Sequence, residues 1–597
     1  MSKILATHRS LLPSGAASAL AKGSVGAQHL MRISSALLGA TDSTQAAGAE
    51  VRLAGELLLA GWEANPLNGS VAAQTLRLEG SVYALTAPCR KVVSFAAEKW
   101  WRPQDASRQE ALLHAGDYDA LARHLEEASS RAPQNLYWLQ QAWNLALADG
   151  RLPWFAELLS RHEYQQQPLL RFIEGCLVLA ESCGDDSEER VRRGAAHALP
   201  LFRDLAAQHP APGRAEFPPP LYWAAPEEMC AHCLALLGEL PAAQRIWAKT
   251  LARRPWHTNL ALRLHDSALP AAPASAAQLA GNTALLLYSF NKEPDLAATL
   301  EAMAPGAALF RKVLVLDNGS SDKTAALLRA WQDKLGPDLF EPILLPVNVG
   351  APAARNWLAL HPEAAACEYL LYLDDDALVR SQTMPEPCAW LDHLAAAVSR
   401  YPQAVVWGLK IRDHLLPWQA QSVDLHIEPN TPGKGAANEQ PAAPFSLTSA
   451  LTYPFAISGL HSQVADFGQF TYTRPCVSVT GCCHLLRRRD FKEHGGFNLV
   501  FSPSQYDDLE RDLRLAAAGQ HACYHGHFSV RHLKRTGKGV QMSRAQYGNG
   551  LANSYKLAGR FTPEDLSRLF AFQNSLLQDD LQRKLGRLDE LWSDLAG

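Results

Sequence analysis

Three adjacent carboxylates, Asp374, Asp375 and Asp376, end the apolar run in YLLYLDDDALV at 369–379. At the end of a buried strand such charges repel one another and are costly unless a cation sits among them. Strand alternation would aim Asp374 and Asp376 to one side and Asp375 to the other. An oxygen-rich pair of that kind suits a hard divalent cation, Mg²⁺ or Mn²⁺, holding a substrate phosphate. The competing reading is a solvated acidic turn. A second pair, Asp507 and Asp508 in YDDLERDLR, opens an amphipathic stretch where a helix N-terminus favours anions. It reads either as a general base or as a charged helix start. Other polar residues also follow apolar runs: Ser289, Asn291 and Glu293 in YSFNKE, Asp317 in LDNGSSDKT, Gly350 and Arg355 in NVGAPAARN, and His532 in VRHLKRTG. Asp317 equally suits an Asx turn. Gly350 permits close backbone approach, and the Arg355 fork suits phosphate or the acidic cluster.

These residues need elements to carry them. TALLLYSF, KVLVLDNG, EPILLPVN and YLLYL read as strands, separated by the helices PDLAATLEAMA, SDKTAALLRAWQDKLG and AARNWLALHP. Ser and Asp stand at the N-cap of the second helix. The alternation predicts a mainly parallel sheet covered by helices, with ligands at the carboxyl ends of the strands. Every polar cluster in this half falls just after a strand, which favours function over surface for the triplet.

The chain has 597 residues, 47% hydrophobic, with a net charge of −4. That length exceeds one core, and the composition excludes a disordered chain. The charge gives no footprint for nucleic acid. No window approaches the ~20 apolar residues of a membrane span, and MSKILATHRSLLPSG lacks a signal-peptide core. Eleven scattered cysteines fit reduced thiols in a cytoplasmic protein better than a disulfide framework. Cys230 and Cys233 flank His232 in a helical segment with no second pair following, and they read as buried side chains rather than zinc ligands.

Residues 1–100 read as a helical region, loose over the first 25 or so. From 101 to 267 a repeat appears. Gly116 precedes Pro133 by 17 residues, Gly238 precedes Pro255 by 17, and Gly150 follows Gly116 by 34. Tyr118, Leu125 and Ala128 share one helical face, as do Leu240, Ala243 and Trp247. The pattern resembles the tetratricopeptide repeat, helix hairpins that bury an apolar stripe by stacking. Such hairpins offer a surface for a protein partner, or a structural layer against the second half. ALPAAPASAAQLAGN, 268–282, reads as a linker, 283–540 as the catalytic domain and 541–597 as a helical tail. In the tail Thr562 caps a helix with Asp565 three residues on, and docking on the helical region or an oligomer contact is expected. The insert 413–475 contains the low-complexity run EPNTPGKGAANEQPAAP. Its Trp418, Phe455, Phe467 and Tyr472 suit an acceptor site or a satellite core.

YSFNKE, LDNGSSDKT, NVGAPAARN and LDDDA, followed by TGCCHLLRRRDFKEHGGFN, PSQYDDLERDLRLAAAG and VRHLKRTG, resemble a family 2 glycosyltransferase of GT-A fold over roughly 283–535. The resemblance implies an α/β Rossmann-like mixed sheet preceded by the all-α repeats, and transfer of a sugar from a nucleotide-diphosphate donor, by default a UDP-sugar. The acceptor would be a hydroxyl on a glycan or protein, and the anomeric centre would invert. It implies donor contacts from Ser289, Asn291, Glu293, Asp317, Gly350, Arg355, Asp374 and Asp375. The metal ligands implied are Asp374, Asp376 and His532. It aligns the family's Glu-Asp pair with Asp507 and Asp508, a departure at 507, and makes Asp508 the general base. A helical-repeat scaffold with a non-catalytic transferase-like domain is the alternative. A nucleotidyltransferase would need a Gly-rich loop that YSFNKEPD lacks.

Overall fold

The computed structural model describes residues 12–39, 47–80, 83–183, 187–213, 219–269, 276–379, 388–430, 453–461, 463–533 and 544–596. Much of the low-complexity run, residues 270–275 of the expected linker, and Lys534, Arg535 and Lys538 lie outside them.

The first half is helical. Ser14–Lys22 already forms a helix with Leu20 fully buried, so the loose N-terminal stretch expected from sequence does not extend to it. Helices Ala106–Ala115, Tyr118–Arg131, Leu136–Asp149 and Leu152–Ser160 follow one another as packed neighbours, and Ala225–Leu236, Leu240–Arg253 and Thr258–Ala268 do the same. Gly116, Gly150 and Gly238 sit at the turns with φ of 69°, 77° and 86°, a left-handed region that glycine enters without a Cβ penalty. Leu125, Ala128, Ala243 and Trp247 are buried as the periodicity requires, whereas Leu240 is exposed at its helix start.

The second half is one mixed sheet. Its strands are β1 Thr283–Ser289, β2 Lys312–Asp317, β3 Phe340–Leu344, β4 Tyr369–Leu373, β5 Ala377–Leu378, β6 Val406–Asp413 and β7 Gln419–Ser422. β10 Val464–Ala465, β11 Thr473–Cys476, β12 Cys483–Arg487 and β13 Ala522–His532 complete it, while β8 Ile427–Pro429 and β9 Phe455–Ile457 pair separately. The main order is β10-β7-β6-β12-β4-β1-β2-β3. β1, β2, β3 and β4 run parallel, β12 is antiparallel to both neighbours, and β13 runs parallel to β6. The helices used below are α1 Glu293–Met303, α2 Ala351–Leu360, α3 Asp507–Ala517, α4 Arg544–Ala558 and α5 Pro563–Ala596.

β1, β2 and β4 are apolar on both faces because both faces are covered. Leu286, Leu314, Leu316, Leu370 and Tyr372 join the cluster that also holds Trp143, Phe155 and Trp247 of the helical half. Leu285, Leu287, Val313, Val315 and Leu371 pack on the opposite side with Leu296 and Leu300 of α1. The helical layer and the sheet therefore share a core. Arg474, fully buried, donates to the carbonyls of Ala21 (2.9 Å) and Lys22 (3.2 Å) across that junction. α5 packs on Ser14–Lys22, Leu240–Arg253, Thr258–Ala268, β11 and α3, tying both halves and the tail together. Thr562 and Asp565 form the reciprocal cap at its start.

Candidate active site

β4 stops at Leu373, and Asp374–Asp376 form a turn before β5. In this turn the partners of each carboxylate, rather than strand alternation, set its direction. Asp375 and Asp376 share one cation: Lys292 Nζ lies 3.1 Å from Asp375 Oδ1 and 2.7 Å from Asp376 Oδ2. Ser289, at the end of β1, donates to Asp375 Oδ2 (2.7 Å). Asp374 also lies near Arg355 Nη2 (3.3 Å). Burial, with the like charges beside it, pushes Asp375 up to about 6 and raises Asp374. Burial works against Asp376 too, but His532 and Lys292 together hold it low.

His532 ends β13, and its Nε2 is 2.8 Å from Asp376 Oδ1 while Nδ1 is 2.8 Å from Gln421 Oε1. Ligand atoms of Asp374, Cys482 and His532 lie within 4.8 Å of one another. The Asp374 carboxylate, the Cys482 thiol and the His532 imidazole thus converge, with Asp376 on the same imidazole, and the oxygen and nitrogen donors of this set fit a hard divalent cation. Lys292 was not singled out from sequence. Its only signal is its place between Asn291 and Glu293 in YSFNKE.

Asp507 and Asp508 open α3. Asp507 is buried against Arg355 Nη1 (2.6 Å), and burial raises its carboxyl. One guanidinium on α2 therefore joins Asp374 to Asp507. Asp508 is half-buried, its Oδ2 accepting from Gly481 N–H at 2.6 Å. The next residue, Cys482, accepts from the Asp374 N–H through its carbonyl (2.8 Å). The triplet and the α3 carboxylates thus meet across two residues of the TGCC turn.

The remaining strand-end residues build the neighbouring loops. Asp317, buried, accepts from Ser320 N–H (2.8 Å), three residues on rather than the two of an Asx turn. Asn291 is left-handed (φ 54°) and accepts from Ser321 N–H (2.7 Å). Glu293 gives its N–H to Asp322, which also caps the helix at Thr324. Gly350 stands close to the loop at Ser502 and Pro503. A Cβ there would stand 2.9 Å from Ser502 Oγ, and Ala351 N–H donates to Pro503 O.

Trp418, Phe455 and Tyr472 are buried, and Trp418 donates to Leu147 O (3.2 Å). They pack as core rather than lining an open acceptor site. A second cluster, Asp424, His426 and His461, has its ligand atoms close together. There Asp424 already receives bonds from His426 (3.0 Å), His461 (2.6 Å) and Tyr472 (3.0 Å), with the Arg474 cation at 3.5 Å. Cys230 and Cys233 are free thiols in Ala225–Leu236, and His232 Nδ1 lies 3.0 Å from Arg263 Nη2. Among the described residues, no helix is long and apolar enough to cross a membrane.

Residues 285–433 match the family described as Glycosyl transferase family 2. Over 237 residues, 39% of the chain, the sequence is 28% identical to the O-antigen biosynthesis protein RfbC of Myxococcus xanthus, of which it spans only 16%. Among solved structures, it is similar to the mannosyltransferase PcManGT of Pyrobaculum calidifontis in complex with GDP-Man and Mn²⁺. The identity is 14% over 59% of this chain and 87% of that one, with a TM-score of 0.32. It is also similar to GalNAc-T7 with UDP, GalNAc and Mn²⁺, at 14% identity over 44% of each chain and a TM-score of 0.31. The matched segment carries strands β1 to β8, and the helical region precedes it.

Proposed function

We propose that this chain is an inverting glycosyltransferase that moves a sugar from a nucleoside-diphosphate donor, by default a UDP-sugar, to an acceptor hydroxyl on a glycan or protein. One observation carries the reading: Arg355 spans Asp374 and Asp507 while Asp508 accepts from Gly481 N–H beside Cys482, so the triplet and the α3 carboxylate pair adjoin. Asp374, Asp376 and His532 would hold a divalent cation, whose chemistry is Lewis-acid neutralisation of the leaving diphosphate. Asp508, less buried than Asp507 and not paired with Arg355 by hydrogen bond, takes the proton from the acceptor hydroxyl as that oxygen attacks the anomeric carbon. The acceptor oxygen–carbon bond forms as the carbon–phosphate oxygen bond breaks, and a single displacement inverts the centre. Asp507 stays locked to Arg355 and orients the start of α3. Ser289, Asn291, Glu293, Asp317 and Asp375 frame the nucleoside end, where Asp317 keeps a second oxygen for a base N–H. Gly350 lets the acceptor loop close on α2.

The helical hairpins support the sheet, and we read them as tetratricopeptide-like with their outer face available to a peptide or subunit. Eleven free cysteines suit a reducing, cytoplasmic setting. The test is a screen of nucleotide sugars for hydrolysis and transfer, with Mn²⁺ and with chelator. Turnover that needs the cation is expected, and Asp508→Asn should lower kcat by about 10³-fold with donor binding near normal. Normal turnover in that variant removes Asp508 as base. Donor binding without turnover in the parent chain would favour the scaffold reading.

A further inference from the structure

We infer that Asn553, carried by α4 of the C-terminal tail, is a positioning residue for the general base, so that the tail completes the active site. The inference rests on the role proposed for Asp508. The chain enters α3 through Phe501–Tyr506, and Gln505 (φ 80°) and Tyr506 (φ 69°) are consecutive left-handed residues that are not glycine. Side chains with a Cβ are strained there, and such a path persists only where the surroundings over-determine it. Tyr506 then accepts from Glu510 N–H at 2.8 Å, so the strained residue is also the first anchor of the helix bearing Asp507 and Asp508.

The over-determination comes from one amide. Asn553 is 1% exposed, and its Nδ2 donates to the carbonyls of Phe501 (2.8 Å), Ser504 (2.8 Å) and Gln505 (3.3 Å). Its Oδ1 accepts from Lys556 Nζ (2.9 Å), which also donates to Val500 O (2.8 Å). Both halves of the amide are thus in use. α4 lies close enough that a Cβ on Gly550 would stand 2.7 Å from Gln505 Oε1, and Leu557 shares an apolar cluster with Phe501, Leu509 and Leu513. Small displacements of a reacting group cost large factors in rate. An element outside the sheet therefore fixes where Asp508 stands relative to Gly481.

Asn553→Asp keeps the shape and the Lys556 contact while turning the donor into an acceptor that repels three carbonyls. Hydrogen exchange at 501–509 should rise about tenfold, and kcat should fall about 30-fold with the donor KM within twofold. Lys556→Met, which leaves the Nδ2 bonds in place, should shift both readouts the same way but less. Unchanged exchange in Asn553→Asp overturns the inference whatever the activity. So does a kcat loss matched by an equal rise in donor KM, which marks general loosening. Faster exchange in a chain whose parent transfers no sugar leaves the tether standing and removes the transferase reading instead.

Discussion

Lys292 brings one positive charge to Asp375 and Asp376, while Arg355 divides its charge between Asp374 and Asp507. Burial, with Asp376 and Asp374 beside it, lifts Asp375 to about 6 against the pull of Lys292. Asp376→Ala should abolish any stabilisation of the protein by Mn²⁺. Lys292→Met should do the reverse, since its removal deepens the charge deficit: the metal-free protein loses about 1–2 kcal/mol, discounted because the lysine is partly exposed. Its melting temperature should then rise more on adding Mn²⁺ than that of the parent, as thermal melts with and without the ion would show. The carboxylates were legible in sequence because charges abruptly ending an apolar run demand a partner. The lysine was not, because one at a helix start looks like any solvated surface residue until the chain is folded.

The TGCC turn before β12 and the start of α3 are the elements that bring base and triplet together. Gly481 leaves room for this. A Cβ would lie 2.8 Å from Asp508 Oδ2, 3.1 Å from Arg355 Nη2 and 3.2 Å from Asp508 Cβ, so the Asp508 side chain has to give. Gly481→Ala should therefore fold, with a melting temperature close to the parent's, and lose about 10–100-fold in kcat as Asp508 is pushed aside. An unaltered kcat would show that this contact does not set the geometry. β1, β2 and β4 were readable because strands covered on both faces are continuous apolar runs. β5, β7 and β10 were not, being two to four residues long, and β5 and β10 are held by partners distant in sequence. The triplet's turn was missed for a related reason: periodicity describes a strand but does not say where it stops.

At the scale of the whole molecule, the helical layer and the sheet meet over buried polar groups as well as apolar ones. His29 and His426 lie at this junction, and burial lowers each to about 4. A histidine kept neutral in the folded chain leaves stability intact above its ordinary value near 6.5 and withdraws it as pH falls toward 4. Each contributes at most about 3 kcal/mol to that loss. Denaturant titrations from pH 7 to pH 4 should show stability falling across this window, and His426→Gln, which keeps a donor toward Asp424, should flatten the fall. The repeat glycines made the helical region legible from sequence. Its docking on the sheet was not, since no local pattern says which of two apolar faces will meet.

α5 packs on Ser14–Lys22, where Gln578 donates to Ser18. These two helices leave the ribosome more than 500 residues apart, which at 5–20 residues per second is about half a minute to two minutes. Through that interval Ala16 and Leu20 can already pack on Leu30, Ile33 and Leu57, and only the side bearing Ser18, which meets α5, has no native cover. The N-terminal helices can thus settle on one another early in synthesis, while the contact that ties them to the tail waits until translation has passed α5.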